Sequence, residues 1–339
     1  MEQPFKYKVC TMCFTFNQSA YIEDALRGFA LQNINFHAVT VVVDDASIDG
    51  EQEVIKSWVK KNLSSYKESF WEEMSYGLLS VATLKGNPNH TFVTLLLAEN
   101  HYQCGNESKK YEYILEWLNS SKYRALCEGD DYWIHPMKLQ RQVAFMESHP
   151  DYSMCFTNAL VTYDHLDKPA YVFNQIGEDC EIQLSEMLDR WICPTPGILY
   201  RASIMPVYPV NGKIISGDWR LTLHCAATGK VWGMKGVMSC YRRTENATSM
   251  SNTYSHKADE AYFRKVPILE GLDEYTNGKY HELISKYIRY YSKMGQLVSF
   301  KKKHGMLTTV LLKPLALLEI VWKRKIRPQL DKNAPTYSA

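Results

Sequence analysis

The chain has 339 residues, of which 45% are hydrophobic and 22% are charged, and its formal net charge at pH 7 is +2. These values are ordinary for a soluble globular protein, and the near-neutral charge argues against a general nucleic-acid binder. The length allows one large α/β domain with extensions, or two domains.

The first part of the chain alternates between strand and helix patterns. Residues 8–15 predict a buried strand, and a helix follows from about Ala20 to Gln32. The β-branched run from His37 to Val43 is typical of a parallel strand that is covered on both faces. A second helix is predicted over about 51–61. This alternation predicts a parallel sheet with right-handed crossovers.

The pattern continues less regularly from residue 62 onwards. Residues 62–90 indicate only a short packed element and a turn at 86–89. Further strands are predicted at 91–97, 123–127 and 151–163. Helices are predicted at about 109–119 and from Pro136 onwards, because proline is favoured in the first turn of a helix.

Acidic residues follow two of the predicted strands. Asp44 and Asp45 come directly after the β-branched run, and Glu128, Asp130 and Asp131 follow the strand at 123–127. In open α/β sheets, ligands bind outside the carboxyl ends of the strands. Clustered carboxylates need a cation, and Mg²⁺ or Mn²⁺ takes such oxygens and shares them with substrate phosphates. The alternative interpretation is a solvated acidic turn.

The second half has its own candidate elements. Residues 191–197 lead into an apolar strand that ends near Arg201, and Asp218 opens a helix that reaches about Thr228. Residues 237–243 predict the strand that closes the sheet. After about Ala258 the pattern becomes helical and rich in tyrosine.

The cysteines and the N-terminus favour a cytosolic protein. The nine cysteines are an odd number and lie mostly in apolar runs, which is typical of reduced thiols. Cys10 and Cys13 lie in a predicted strand, where residues i and i+3 face opposite sides, so we do not expect a metal or redox pair there. The start of the chain has no apolar signal region, so no secretory peptide is expected.

The C-terminal region is strongly basic. Residues 301–330 carry eight Lys or Arg residues against one acid, Glu319, a formal charge of +7. The apolar run Leu307–Trp322 is shorter than the roughly 20 residues that span a bilayer. It suits an element that lies on an anionic membrane surface. The alternative is a basic amphipathic helix packed on the protein itself.

Three motifs together resemble the family 2 glycosyltransferases of GT-A fold. These are Phe14-Thr15-Phe16-Asn17, Val43 to Gly50, and Glu128 to Trp133 with Pro136, Lys138 and Leu139. The order and spacing of these motifs match those of the family over roughly residues 6–245. Phe14 replaces the usual proline of the first motif, and Glu128 replaces the usual first aspartate of a DXD-like motif. The resemblance implies a Rossmann-like, mostly parallel central sheet flanked by helices, with a helical C-terminal extension.

The site residues follow from chemistry and from this resemblance. Phe16 offers a face for stacking a pyrimidine, and Asp45 can accept a hydrogen bond from the imino N–H of uracil or thymine. A core aromatic and a turn cap, respectively, are the alternatives. Phe14, Thr15 and Asn17 complete the expected nucleotide site. The resemblance makes Asp131 the direct ligand of Mn²⁺ or Mg²⁺, with Asp130 on the ribose or the metal and Glu128 as a further candidate ligand.

The resemblance also implies that Asp218 is the general base. Its position at a helix start allows an N-cap as the alternative role. A base that deprotonates the acceptor from the face opposite the leaving group would invert the anomeric centre. Lys109 and Lys110 are expected to lie on a solvated helix face.

The sequence therefore predicts an inverting, metal-dependent glycosyltransferase of the hexosyltransferase class. Residues 1–250 form the catalytic domain, with a nucleotide-sugar half at about 1–135 and an acceptor half at about 136–250, and residues 251–339 form a basic helical extension. The donor is a UDP- or dTDP-sugar. The acceptor is a saccharide, plausibly lipid-linked, for surface polysaccharide synthesis at the inner face of the plasma membrane. The rivals are a sugar-nucleotide nucleotidyltransferase, for which the loop at 14–19 lacks glycine and basic residues, and a non-catalytic membrane-associated scaffold.

Overall fold

The computed structural model describes residues 5–65, 69–106, 108–164, 168–174, 176–205, 217–243 and 258–314. Within these ranges the chain forms a mixed α/β structure around one large sheet. The strands are β1 (Tyr7–Thr15), β2 (Ala38–Asp44), β3 (Leu63–Ser64), β4 (Glu72–Met74), β5 (Gly77–Leu84), β6 (Asn87–Leu97), β7 (Ser121–Leu126), β8 (Tyr132–Trp133), β9 (Tyr152–Tyr163), β10 (Tyr171–Val172), β11 (Cys180–Ile182), β12 (Ile198–Arg201) and β13 (Lys230–Arg243).

The helices lie between these strands and after them. They are α1 (Ile22–Ala30), α2 (Glu51–Asn62), α3 (Lys109–Glu112), α4 (Leu115–Asn119), α5 (Lys138–Ser148), α6 (Leu184–Asp189), α7 (Gly217–Thr228), α8 (Ala258–Phe263), α9 (Lys265–Tyr275) and α10 (His281–Leu312). A short 3-10 turn covers Thr195–Gly197. Gly305 has a φ of 79°, which interrupts α10.

The centre of the sheet is parallel, as the alternating pattern predicts. The strand order is β11-β13-β9-β12-β7-β1-β2-β6-β5-β3, and β1 pairs in parallel with both β2 and β7. All seven residues of β2 are buried, because helices cover both faces of the central strands. The carboxyl ends of β1, β2 and β7 therefore meet at one edge of the sheet.

Each face of the sheet has its own hydrophobic core. One core includes side chains of α1, α2 and α5, and the other includes side chains of α4, α6, α7, α9 and α10. Cys10 belongs to one core and Cys13 to the other, so the two thiols face opposite sides as expected. All nine cysteines are free.

The C-terminal helices pack against the sheet domain. Tyr291 of α10 donates a hydrogen bond to the Leu188 carbonyl at 2.9 Å, and the Tyr287 hydroxyl donates to Asp189 at 2.6 Å. Ile268 and Ile284 are fully buried. The helices after residue 258 thus complete the core beside α6 and α7.

Two details differ from the sequence prediction. Residues 77–84 form β5, which pairs antiparallel with β6 where only a short packed element was expected. The helix predicted at 109–119 is two short helices that break at Tyr113 and Ile114.

Of the predicted element Leu307–Trp322, residues 315–322 lie outside the described residues. None of the helices in the described ranges has the length and apolarity needed to cross a membrane.

Candidate active site

The loop that follows β1 is organised around a buried glutamate. Glu51, the first residue of α2, is fully buried. Its Oε2 accepts hydrogen bonds from the Gln18 backbone N–H and the Ser47 hydroxyl, both at 2.8 Å. Its Oε1 contacts the Thr15 hydroxyl. One carboxyl group therefore joins the loop after β1 to the loop after β2.

The contacts around Thr15 are compatible with a protonated Glu51. Thr15 Oγ1 lies 2.8 Å from Gln18 Oε1 and also contacts Glu51 Oε1. A hydroxyl has only one proton to donate, so both contacts are satisfied when the Glu51 carboxyl carries a proton. Burial raises the pKa of Glu51 from 4.5 to about 7, which places that proton within reach of neutral pH.

The other residues expected at the donor site lie in the same two loops. Asn17 has a φ of 54°, and its Oδ1 accepts a hydrogen bond from the Ile48 backbone N–H at 2.9 Å. Phe16 is half-buried. Phe14 packs against Tyr111, with ring centroids 5.2 Å apart. The structure thus gathers the four predicted residues at the end of β1, and their contact with a nucleotide stays a prediction.

Asp44 and Asp45 have different partners. Asp44 Oδ1 accepts the Ser47 backbone N–H at 3.1 Å, so Asp44 orients its own turn. Asp45 is buried. It accepts the backbone N–H groups of His101 and Tyr102 at 2.9 and 3.2 Å.

Asp45 also pairs with a lysine that the sequence placed in solvent. Lys110 Nζ lies 3.1 Å from Asp45 Oδ2, and the Lys110 side chain is 13% exposed. The expectation of a solvated face is wrong for Lys110, because its ammonium group pairs with the buried Asp45 carboxylate. Asp45 Oδ1 keeps a lone pair beside its bond to His101, so its role as a base reader stays a prediction.

Position 129 of the acidic motif requires glycine, because it lies against the loop that follows β1. A Cβ on Gly129 would lie 2.2 Å from Thr15 Oγ1 and 2.4 Å from Gln18 Oε1. The backbone after β7 therefore contacts the loop after β1 directly. This close approach brings the acidic motif to the same end of the sheet as Phe14–Asn17.

Desolvation raises the pKa of all three carboxyl groups in the acidic motif, and neighbouring carboxylates add to the rise for Glu128 and Asp131. Glu128 is an exposed residue. Desolvation by nearby protein atoms, and then the charges of Asp130 and Asp218, raise the pKa of Glu128 to about 8. Burial and the charge of Asp130 raise the pKa of Asp131 well above its ordinary value. Burial also raises the pKa of Asp130.

These pKa shifts fit a site that takes a cation. A bound divalent ion would offset the repulsion that otherwise favours protonation. Asp131 Oδ1 accepts the Arg242 backbone N–H at 2.8 Å, which fixes the carboxylate at the end of β7. In the part of the chain that the structure describes, no group of three or more His, Cys, Asp or Glu side chains is arranged to hold a metal. A divalent ion held by Asp131 would need further oxygens, which the phosphates of a ligand could supply.

Asp218 lies in the first turn of α7 and its charge acts on Glu128. Its Oδ1 accepts the Trp219 backbone N–H at 2.9 Å, and its Oδ2 accepts the Thr195 hydroxyl at 3.0 Å. Burial raises the pKa of Asp218, while these hydrogen bonds and the charge of Lys265 oppose the rise. Asp218 is the second residue of α7 and the bond from Trp219 spans only one residue, so this bond is not an N-cap interaction.

Sequence reasoning missed three residues of this site. Glu51, Thr195 and Lys265 act through contacts with residues far away in the chain. The Thr195 bond spans 23 residues and the Thr15–Glu51 contact spans 36. Of these three residues, only Glu51 could have been suspected from the local sequence. It is an acidic residue at the start of the helix after a strand, and such a side chain can contact the preceding loop.

The sheet order and the acidic edge define an α/β domain of GT-A-like fold. Residues 1–349 of S. aureus TarS, in complex with UDP-GlcNAc, superpose with a TM-score of 0.56 at 14% identity, covering 96% of this chain and 87% of that one. The same region in complex with UDP gives 0.51 at 13% identity, covering 88% and 92%. At this identity the likeness establishes the fold alone.

The sequence comparisons carry no functional name. No family model matches the chain. Uncharacterized proteins of Mycobacterium tuberculosis and Mycobacterium bovis are 26% identical over 230 residues, which is 68% of this chain. The chain spans 57% of the length of these curated relatives.

Proposed function

We propose that this protein is an inverting, metal-dependent glycosyltransferase of the hexosyltransferase class. The donor is a UDP- or dTDP-sugar and the acceptor is a saccharide. The observation that carries the proposal is the proximity of two acidic groups, since the charge of Asp218 acts on Glu128 although 90 residues separate them. The likeness in fold to a protein that binds UDP-GlcNAc supports a nucleotide-sugar as the donor.

The donor binds at the carboxyl ends of β1, β2 and β7, in the half of the chain before about residue 135. Phe16 stacks on the base, and Asp45 accepts its imino proton. Asp131, with Asp130 or Glu128, holds Mn²⁺ or Mg²⁺. The bound ion would supply charge neutralisation for the departing diphosphate.

Asp218 acts on the acceptor, in the half formed by residues 136–250. Each of its oxygens already accepts one hydrogen bond and keeps a second lone pair. One of these accepts the proton of the acceptor hydroxyl as the hydroxyl oxygen attacks the anomeric carbon. Attack from the face opposite the diphosphate inverts that carbon.

The residues favour this function over the rivals. A nucleotidyltransferase needs a basic, glycine-rich loop for a triphosphate, whereas the loop after β1 is held by the carboxyl group of Glu51. A scaffold would not need a carboxylate that raises the pKa of another carboxyl group far away in the chain.

The deciding experiment measures release of UDP or dTDP from UDP-glucose, UDP-galactose, UDP-GlcNAc and dTDP-glucose, with Mn²⁺ and with EDTA. Asp131→Asn should remove the dependence of UDP affinity on Mn²⁺. Asp218→Asn should lower release by about 10² to 10⁴ and leave UDP affinity near wild type. Asp151→Asn, which alters an exposed carboxylate paired with Lys230, is the control.

Three results would count against the proposal. Equal turnover with EDTA and with Mn²⁺ would exclude a metal-dependent reaction. Full activity of Asp218→Asn would exclude this base. Formation of a nucleotide-sugar from UTP and a sugar phosphate would instead favour the nucleotidyltransferase.

We also propose that the protein works at the inner face of the plasma membrane on a lipid-linked acceptor for surface polysaccharide. The end of α10 supports this placement, because Leu311 and Leu312 are 76% and 64% exposed. Lysines flank them at positions 301–303 and 313. Apolar side chains beside lysines suit an anionic lipid surface.

A further inference from the structure

We infer that Thr195 is a positioning residue for Asp218, and that a buried network ties Thr195 to the donor motif. The inference rests on the proposed function, because the role of Asp218 as the base gives the positioning its purpose. It concerns Thr195, which none of the three motifs contains.

The hydrogen bond between Thr195 and Asp218 fixes one oxygen of the carboxylate. Thr195 Oγ1 donates to Asp218 Oδ2 at 3.0 Å, and the Thr195 side chain is buried. The Trp219 backbone N–H donates to the other oxygen at 2.9 Å. Two donors on different oxygens determine the plane of the carboxylate, which a single hydrogen bond does not. The remaining lone pairs then point in fixed directions.

Hydrogen bonds also fix the turn that carries Thr195, at Pro196 and at Gly197. Trp133 Nε1 donates to the Pro196 carbonyl at 2.8 Å, and Gln142 Nε2 donates to the Gly197 carbonyl at 2.8 Å. Gly197 lies so close to β9 that a Cβ would be 2.3 Å from the Thr157 carbonyl oxygen. The turn therefore has little freedom to move relative to the sheet.

A buried lysine stabilises the donors that hold this turn. Lys138 is fully buried, and its Nζ donates to Gln142 Oε1 at 2.8 Å. The same Nζ lies 4.2 Å from the centroid of the Trp133 ring. Since Gln142 Oε1 accepts from Lys138, its Nε2 must face the Gly197 carbonyl. Lys138 thus orients both side chains that hold the turn.

This network links the donor half to the base. Trp133 follows Asp131 by two residues, so the strand that ends the acidic motif also holds the Pro196 carbonyl. A displacement of the acidic motif would be transmitted through Trp133 and the turn to Thr195. The carboxylates for the metal and for the acceptor therefore belong to one rigid assembly.

The test compares Thr195→Val, which keeps the shape and removes the hydroxyl, with Thr195→Ser, which keeps the hydroxyl. Thr157→Val is the matched control. Thr157 is buried beside the same turn, and its hydroxyl has no hydrogen-bond partner among the described residues. UDP release from the active sugar nucleotide gives kcat and KM, and ¹³C NMR of the labelled Asp218 carboxyl, assigned with Asp218→Asn, gives its titration.

Thr195→Val should lower kcat about 10-fold, the loss expected for a hydrogen bond to a charged group, with the donor KM within about 2-fold of wild type. The Asp218 carboxyl should titrate at higher pH, because a donor to its charged form is gone. Glu128, Lys265 and the Cys193 thiol are titratable groups whose charges act on or respond to the Asp218 carboxyl, and they are unchanged in every variant. Thr195→Ser should restore both values, and Thr157→Val should change neither.

Wild-type kcat and an unchanged titration in Thr195→Val would overturn the inference. So would Thr195→Ser behaving like Thr195→Val, since packing rather than the hydroxyl would then matter. A wild-type protein that releases no nucleotide from any of the four sugar nucleotides would refute the proposed function instead. The carboxyl titration would still decide whether Thr195 controls Asp218.

Discussion

Replacing Glu51 with glutamine should remove a pH dependence of stability. Glutamine has the shape of a protonated glutamate, and its amide N–H can donate to Thr15 Oγ1 while its oxygen accepts from Gln18 and Ser47. The substitution therefore keeps the contacts of the neutral side chain and removes its ionisation.

The size of the effect follows from the pKa of Glu51, which burial raises from 4.5 to about 7. Below pH 4.5 the carboxyl is protonated in both the folded and the unfolded chain. Between pH 4.5 and 7 the unfolded chain releases this proton first, so the folded state loses stability as the pH rises. Above pH 7 the loss is constant. At about 1.4 kcal/mol per pKa unit, this loss is about 3 kcal/mol.

Urea unfolding at pH 5 and at pH 8 measures this difference. The wild-type free energy of unfolding should fall by about 2.5 kcal/mol more than that of Glu51→Gln between the two pH values, because part of the full loss already occurs below pH 5. Glu53→Gln, which alters an exposed carboxyl in the same helix, controls for the loss of a charge. An identical pH dependence in wild type and Glu51→Gln would refute the protonated state of Glu51.

Two further predictions follow from the donor loop and from α10. Gly129→Ala should destabilise the fold by about 1–3 kcal/mol and weaken UDP binding, because the added Cβ would overlap Thr15. Chemical unfolding measures the first effect and calorimetry the second. The control is Gly177→Ala, whose Cβ meets open space and which should change neither quantity. Replacing the three lysines at 301–303 with glutamine should weaken sedimentation with anionic liposomes by about 100-fold at low salt, at roughly 1 kcal/mol per lysine. Liposome binding that is insensitive both to salt and to this change would exclude an electrostatic contact.

The sequence was sufficient to predict the central strands and the edge where the acidic groups meet. The β-branched run of β2 is buried along its whole length. A continuous run of this kind strongly favours a buried strand over other secondary structures. The acidic residues at 44–45 and 128–131 follow directly from the ends of their strands. These features are local, so a pattern of adjacent residues contains them.

The features that the sequence did not predict depend on contacts between distant segments. In β5, only Ser80 and Ala82 are buried, so its apolar pattern is too weak to distinguish a strand from a packed loop. Lys110 has the composition of a solvated helix, and only the fold places Asp45 beside it. Thr195 precedes a proline in an irregular turn, and no local pattern indicates that its hydroxyl reaches α7.

The packing of the C-terminal helices has a consequence for folding during synthesis. Tyr7 and Val39 belong to the same hydrophobic core as Leu272 and Tyr287. A ribosome adds about 5–20 residues per second, so the second pair emerges roughly 12 to 50 seconds after the first. Until then one face of the central sheet lacks part of its cover. The nascent chain therefore exposes apolar surface of the kind that chaperones bind until the C-terminal helices are made.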